Sequence, residues 1–274
     1  MRSKKTVLPN QRDFPSRLTP HSSLAEDASP AFDANWAVFL DVDGTLLDLA
    51  EHPEKVELRP GLIHTLEGLH RVVPVALVSG RRIADLDRLF APLTLPAAGQ
   101  HGAERRDSGG RVYRAKVAET ALAPARADLA AWTRDHPGTL LEDKGLSLAL
   151  HYRAAPHLQT QALQAARGAL RRLGDGFVLG SGSMVYEIRP RGLDKGGAIA
   201  EFMHEPPFAG RRPVFVGDDV TDEDGFVVVN RLGGLAIKVG PGPTAAHWRL
   251  TDAMQVLDWL DRYVRWMEER CRED

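Results

Sequence analysis

Residues 37–40, Ala-Val-Phe-Leu, form a short apolar run that stops abruptly at polar residues, the pattern of a buried parallel strand. From Pro60 the period changes. Leu62, Leu66 and Leu69 recur at helical spacing, and a proline in the first turn is compatible with a helix start. A second apolar run, Val72 to Val78, ends in "SGRR", after which Ile83, Leu86 and Phe90 return to helical spacing. Strand, helix, strand, helix predicts a βαβ core.

The apolar segment Leu93 to Ala98 gives way to "GQHGAERRDSGG", whose glycine and charge content marks a boundary. Residues 36–103 therefore read as the first part of a core, and 104–183 as a separate, smaller α/β block. Within that block Leu146, Leu148 and Leu150 alternate with Ser147, Ala149 and His151, the two-residue period of a half-buried strand. Leu163, Ala166, Leu170 and Leu173 then line a helical face, and "FVLG" and "MVYEI" suggest further strands. The core pattern resumes over 184–274: a helix from about Lys195 to His204, a strand at Pro213 to Val216, a helix near Phe226 and a short strand at Ala236 to Val239. Its last helix carries an apolar stripe of Val256, Leu260, Val264 and Met267. Residues 1–35 mix Pro, Ser, Asp and Arg without periodicity and read as a flexible lead-in.

Composition narrows the classes. With 274 residues, 43% of them apolar, the chain can bury a sizeable core with a smaller inserted domain. Thirty-five basic against 37 acidic residues leave a formal charge of -2 with no long basic block, which favours a small substrate over a nucleic acid. No stretch approaches the length of about eighteen apolar residues that a membrane span needs, and Arg2, Lys4 and Lys5 lead into no apolar segment. The expectation is a cytoplasmic protein without a membrane partner. The lone Cys271 cannot form an intrachain disulfide and has no neighbouring acid–base constellation that suggests catalysis.

Chemistry gathers at the strand ends. Asp41 and Asp43 follow the first strand, where ligands collect in open parallel sheets, so one could act on a ligand while the other handles a proton. Asp43 with Gly44 could equally close an ordinary turn, and this stretch alone leaves both readings open. "VFVGDDVTDEDGF" sends a second strand into Asp218, Asp219, Asp222, Glu223 and Asp224, a density of like charge that calls for a cation or solvent. Hard oxygen donors favour Mg²⁺ or Ca²⁺; Asp218 is the expected ligand, with Asp219 and Asp222 organising its surroundings, and Glu223 and Asp224 suit a helix start. Ser79, Gly80 and Arg81 open a helix whose hydroxyl and amides can receive phosphate oxygens, and Lys195 in "DKGGAI" begins another. Together these residues point to phosphoryl transfer assisted by a divalent ion.

In their order, "DVDGTL", "SGR", "DKGGAI" and "GDDVTDEDGF" resemble the four motifs of the haloacid-dehalogenase-like phosphatases. Adding "GQHGAERR", "LEDKGLSLALHYR" and "MVYEIRPRG" narrows the resemblance to the trehalose-6-phosphate phosphatases, over residues 38 to about 240 and on into the last helix. That resemblance implies a Rossmann-like parallel-sheet core with an inserted α/β cap, and hydrolysis of trehalose 6-phosphate through an aspartyl phosphate. Asp41 would be the nucleophile and Asp43 the general acid/base. Mg²⁺ would lie on Asp41, the backbone carbonyl of Asp43 and Asp218, and Ser79 and Lys195 would bind phosphate. Arg81, Gln100, His101, Gly102, Glu104, Glu142, Lys144, His151, Arg153 and Glu187 become candidates for holding the sugar. One departure stands out: Ser183 occupies the place, ahead of the "VYE" strand, where family members often carry a lysine or arginine. A phosphatase for another sugar phosphate such as sucrose 6-phosphate, a transferase, and a binding module without turnover are the rival readings.

Overall fold

The apolar run begins one residue earlier than its pattern suggests, as β1 (Trp36–Leu40), and all five residues are buried. The structure is a computed structural model that describes residues 30–49, 56–117 and 120–273. β1 lies in the middle of an eight-stranded sheet of order β12-β11-β10-β1-β2-β3-β4-β5. Its parallel neighbours are β2 (Val75–Val78) and β10 (Arg212–Gly217), the latter in a register that sets Phe39 beside Phe215 and Leu40 beside Val216. β3 (Ala97–Gly99), β11 (Leu235–Val239) and β12 (Trp248–Leu250) extend the parallel set.

Alternation of side chains along each strand sorts the core into two layers. Val38, Leu40, Leu77, Val214, Val216 and Ile237 face α1 (Leu62–Val72), α2 (Ile83–Leu89) and α7 (Ala253–Glu273), and meet Leu66, Leu86, Trp259 and Tyr263. Ala37, Phe39, Ala76, Phe215 and Ala236 face α5 (Lys195–Phe202) and α6 (Glu223–Arg231), meeting Ile199, Phe202 and Phe226. A three-layer α/β core places the carboxyl ends of β1, β2 and β10 side by side.

A second sheet, of order β6-β7-β9-β8, is wholly antiparallel: β6 (Leu140–Asp143), β7 (Leu148–His151), β8 (Phe177–Gly182) and β9 (Val185–Pro190). Leu148, Leu150 and Ile188 bury one face against α3 (Ala123–Arg134) and α4 (Gln159–Leu170). On the other face Glu142, Ala149, Glu187 and Gly180 stand opposite one another in a single row across the four strands.

Several expectations shift. β4 (Glu104–Arg106) hydrogen-bonds antiparallel onto β3, and β5 (Val112–Arg114) antiparallel onto β4, so both belong to the large sheet, whereas β9 belongs to the small one. By sheet membership β4 and β5, expected in the smaller block, lie on the core side, and β9, expected in the core, lies on the cap side, so both limits fall further along the chain than 104 and 183. Val72 ends α1 rather than starting a strand, because Pro74 separates helix from strand. Of the expected flexible lead-in, residues 1–29 lie outside the described residues; among the rest, the ring of Phe32 sits 5.3 Å from Tyr263 and 5.8 Å from Trp266. Among the described residues no helix is long and apolar enough to cross a membrane. Cys271 is free and exposed.

Candidate active site

Asp41 is the first residue beyond β1, and its N–H still donates to the carbonyl of Val216 across the sheet. Its carboxylate is 4% exposed and accepts a hydrogen bond of 2.7 Å from Nζ of Lys195, the first residue of α5. The same ammonium donates at 2.7 Å to Asp222, which is fully buried. The second oxygen of Asp222 accepts the N–H groups of Asp218 (3.0 Å) and Asp219 (2.9 Å), folding the loop after β10 around itself. Asp218 approaches Gly44 so closely that a Cβ there would stand 2.1 Å from its carboxylate, and Gly44 also has φ +85, so a side chain is excluded twice over. The hydroxyl of Thr45 donates to Asp218 at 3.4 Å.

Carboxylate oxygens of Asp41, Asp218 and Asp222 lie within 4.8 Å of one another. Asp222 is saturated by Lys195 and two amides, which leaves Asp41 and Asp218 as donors with capacity to spare. Hard oxygens at this spacing fit a divalent cation. Electrostatics agree: burial first, then Asp222 and Asp218, push the Asp41 carboxyl well above the usual range against the pull of Lys195. Burial and then Asp222 raise Asp218 to about 6. Lys195 moves upward, since Asp222 and Asp41 outweigh its burial. A cation between the two donors would relieve this repulsion.

Asp43 is held differently. Arg81 reaches across from the end of β2 and grips both its oxygens, Nε to Oδ2 at 2.7 Å and Nη2 to Oδ1 at 2.6 Å. Burial opposes the guanidinium's charge, but Asp43 outweighs it and raises Arg81. Ser79 is 1% exposed, and its Oγ accepts the N–H of Arg81 at 3.2 Å.

Above these groups lies a cleft of about 170 Å³ whose lining combines Asp41, Arg81, Lys195 and Asp218 with residues of the small sheet. There Glu187, 8% exposed, accepts from Lys144 at 3.2 Å and Ser147 at 2.8 Å, and lies 2.7 Å from Nε2 of His101. Burial would raise the Glu187 carboxyl, but Lys144 and His101 hold it well below the usual range. Lys144 in turn is raised, Glu187 and Glu142 outweighing its burial, and it donates to the carbonyl of Gly80 at 2.9 Å. Glu142 pairs with His151 at 2.9 Å. Burial again opposes the charged form, but His151 and Lys144 hold Glu142 low. Arg153 donates to the carbonyl and hydroxyl of Ser183 at 2.9 and 3.3 Å, and the N–H of Ser183 donates to Asp219 at 3.3 Å.

The fold thus brings Asp41, Asp43, Arg81, His101, Glu142, Lys144, His151, Arg153, Glu187, Lys195, Asp218 and Asp219 to one cleft. Gln100, Gly102 and Glu104 fall outside its lining. Glu104 instead accepts the N–H of Ile83 at 2.8 Å and anchors the start of α2, and Gln100 accepts from Ser147 at 3.2 Å. Ser79 and Asp222 sit beneath the cleft rather than in its wall. Sequence reasoning missed Thr45, Ser147 and Lys238. The last carried a signal, a lysine interrupting the apolar run "LAIKVG".

Comparison with known proteins places this geometry. The trehalose-phosphatase family matches residues 39–254. A probable trehalose-phosphate phosphatase of Sinorhizobium fredii is 49% identical over 232 residues, covering 82% of this chain and 87% of that protein. The trehalose-6-phosphate phosphatase of Escherichia coli is 41% identical over 244 residues, 88% of this chain and 91% of its own. Among solved structures, a trehalose-6-phosphate phosphatase related protein superposes with a TM-score of 0.70 at 27% identity, over 85% of this chain and 99% of that one.

Proposed function

We propose that this chain, which belongs to the trehalose-phosphatase family, hydrolyses trehalose 6-phosphate to trehalose and inorganic phosphate. The observation that carries the reading is the buried Asp41 carboxylate, fixed by Lys195 at 2.7 Å and facing Asp218 across a shared donor cluster. In the first step an oxygen of Asp41 attacks phosphorus, the bond from phosphorus to the sugar oxygen breaks, and Asp43 gives that oxygen a proton. In the second, Asp43 takes a proton from water, the water oxygen attacks phosphorus, and the bond to Asp41 breaks to free phosphate. Lys195 neutralises charge on Asp41 and on the phosphoryl oxygens, with Ser79 supporting the loop that faces them. Arg81 must release at least one oxygen of Asp43 before that group can donate a proton.

The resident cation of this reading is Mg²⁺, held by Asp41, Asp218 and the carbonyl of Asp43; when bound it would neutralise charge between nucleophile and phosphate. Glu142, Lys144, His151, Arg153 and Glu187 on the cap, with His101 and Arg81 on the core, are placed to bond the sugar hydroxyls. Closure of the small sheet over the core would exclude bulk water from the acyl phosphate. Phosphate release from a panel of sugar phosphates, with and without Mg²⁺, tests the reading. Trehalose 6-phosphate is expected to exceed glucose 6-phosphate and sucrose 6-phosphate, and only with the cation present. Equal rates on all three would overturn the sugar assignment, and no turnover of any would overturn the enzyme.

A further inference from the structure

β11 is buried along its whole length, yet its fourth residue is Lys238, only 5% exposed among Leu235, Ala236, Ile237 and Val239. An ammonium in such surroundings is costly unless its donors are met and its charge is useful. Its Nζ donates to the main-chain carbonyl of Asp218 and, at 3.1 Å, to that of Val239, both neutral acceptors. Register explains the reach. Lys238 lies beside Gly217 in the parallel neighbour β10, one residue before Asp218. Gly217 has no side chain to obstruct the loop, and a Cβ there would stand 2.4 Å from Cγ of Asp222.

Lys238 therefore brings a second buried positive charge to a cluster that Lys195 already serves. The clustered carboxylates Asp41, Asp218 and Asp222, with Asp219 lining the cleft next to Asp218, set against the ammonium groups of Lys195 and Lys238 leave two negative charges, the complement of one divalent cation. Asp43 does not enter the balance, because Arg81 neutralises it. Without Lys238 three negative charges would remain, and the site would hold its cation harder. An ammonium one hydrogen bond from the main chain of Asp218 stands within roughly 7 Å of any cation on that carboxylate. In a buried site, repulsion over such a distance exceeds the roughly 1.4 kcal/mol that corresponds to tenfold in affinity.

We propose that Lys238, bonded to the carbonyl of Asp218, is a charge-balancing residue of the metal site that limits it to one exchangeable divalent cation. The inference rests on the Mg²⁺ reading given above, and the test separates the two. Mg²⁺ binding to the full chain is measured by calorimetry at about pH 8 for the parent, Lys238→Met, Lys238→Gln and Lys238→Arg. The neutral variants are expected to bind Mg²⁺ at least about tenfold more tightly, with a larger Mg²⁺-induced rise in unfolding temperature, and Lys238→Arg to stay within about threefold of the parent. A merely structural lysine would lower the unfolding temperature without tightening the cation. Unchanged or weaker binding in the neutral variants would overturn the proposal while leaving the Mg²⁺ reading intact. Failure of both neutral variants to fold even with Mg²⁺ present would also overturn it, by assigning Lys238 to folding. No binding by the parent would overturn the Mg²⁺ reading, and this inference with it.

Discussion

On the core side of the cleft, Asp41, Asp218, Asp219 and Asp222 outnumber Lys195 and Lys238, whereas on the cap side Glu187 with Lys144, joined by His101 from the core, and Glu142 with His151, satisfy one another. Of the core carboxylates, Asp41 is correspondingly pushed up and Asp218 raised to about 6, while Glu187 and Glu142 are held down. A site left short of positive charge is built to receive a cation and a reacting phosphate. A site already paired is built to exchange its hydrogen bonds for a neutral ligand's hydroxyls. Under the proposed function the difference teaches how labour would be divided: chemistry on the core, selection on the cap.

The sharpest way to break that division is to disarm the core. Asp41→Asn is expected to lower turnover by at least about 10³-fold on every phosphate ester while folding is retained. Intact-mass detection of a phosphoryl adduct after acid quench should fail with it. Lys195→Met should come next, because it strands Asp41 and Asp222 without their common partner. A loss of roughly 3–5 kcal/mol in urea unfolding is expected for the cation-free protein, together with loss of turnover.

The cap gives smaller and more selective effects. Glu187→Gln should cost roughly 2 kcal/mol near neutral pH and should flatten the acid side of the stability profile. The sign follows from its lowered carboxyl. The Glu187 contribution is fully present above its ordinary value of 4.5 and is lost as pH falls through the depressed folded value. Lys144 acts at the other end: its contribution is complete below 10.5 and is lost as pH rises through the raised folded value. The smallest effect belongs to the partly buried Glu142–His151 pair. His151→Phe should change stability by less than about 1 kcal/mol and show itself only as a severalfold rise in KM for trehalose 6-phosphate.

The same contrast decides what could be read from the chain before its structure. Asp41 and Asp218 were legible because apolar runs end at them, so periodicity alone puts both at the carboxyl edge of one sheet. β4 was not legible. Its sequence, Glu-Arg-Arg, has no apolar pattern, and Arg105 and Arg106 are buried only because Glu201, Glu205 and Asp87 meet them from distant segments. The place of Glu104 was lost for the same reason, since its partner is the amide of Ile83. Phe32 sits in a polar stretch, and its ring docks on α7, a contact that no local period encodes. The cap pairings depend on register between β6, β7 and β9, which sets Glu142 and Glu187 in one row across Ala149.

The most direct test of the divided cleft compares kcat/KM for trehalose 6-phosphate and for p-nitrophenyl phosphate, which offers no sugar, in the parent and in Glu187→Gln. The expected result is a loss of about 10- to 100-fold on the sugar phosphate, with the aryl phosphate held within about threefold. An equal fall on both substrates would contradict the account, because Glu187 would then serve the chemistry rather than the choice of sugar.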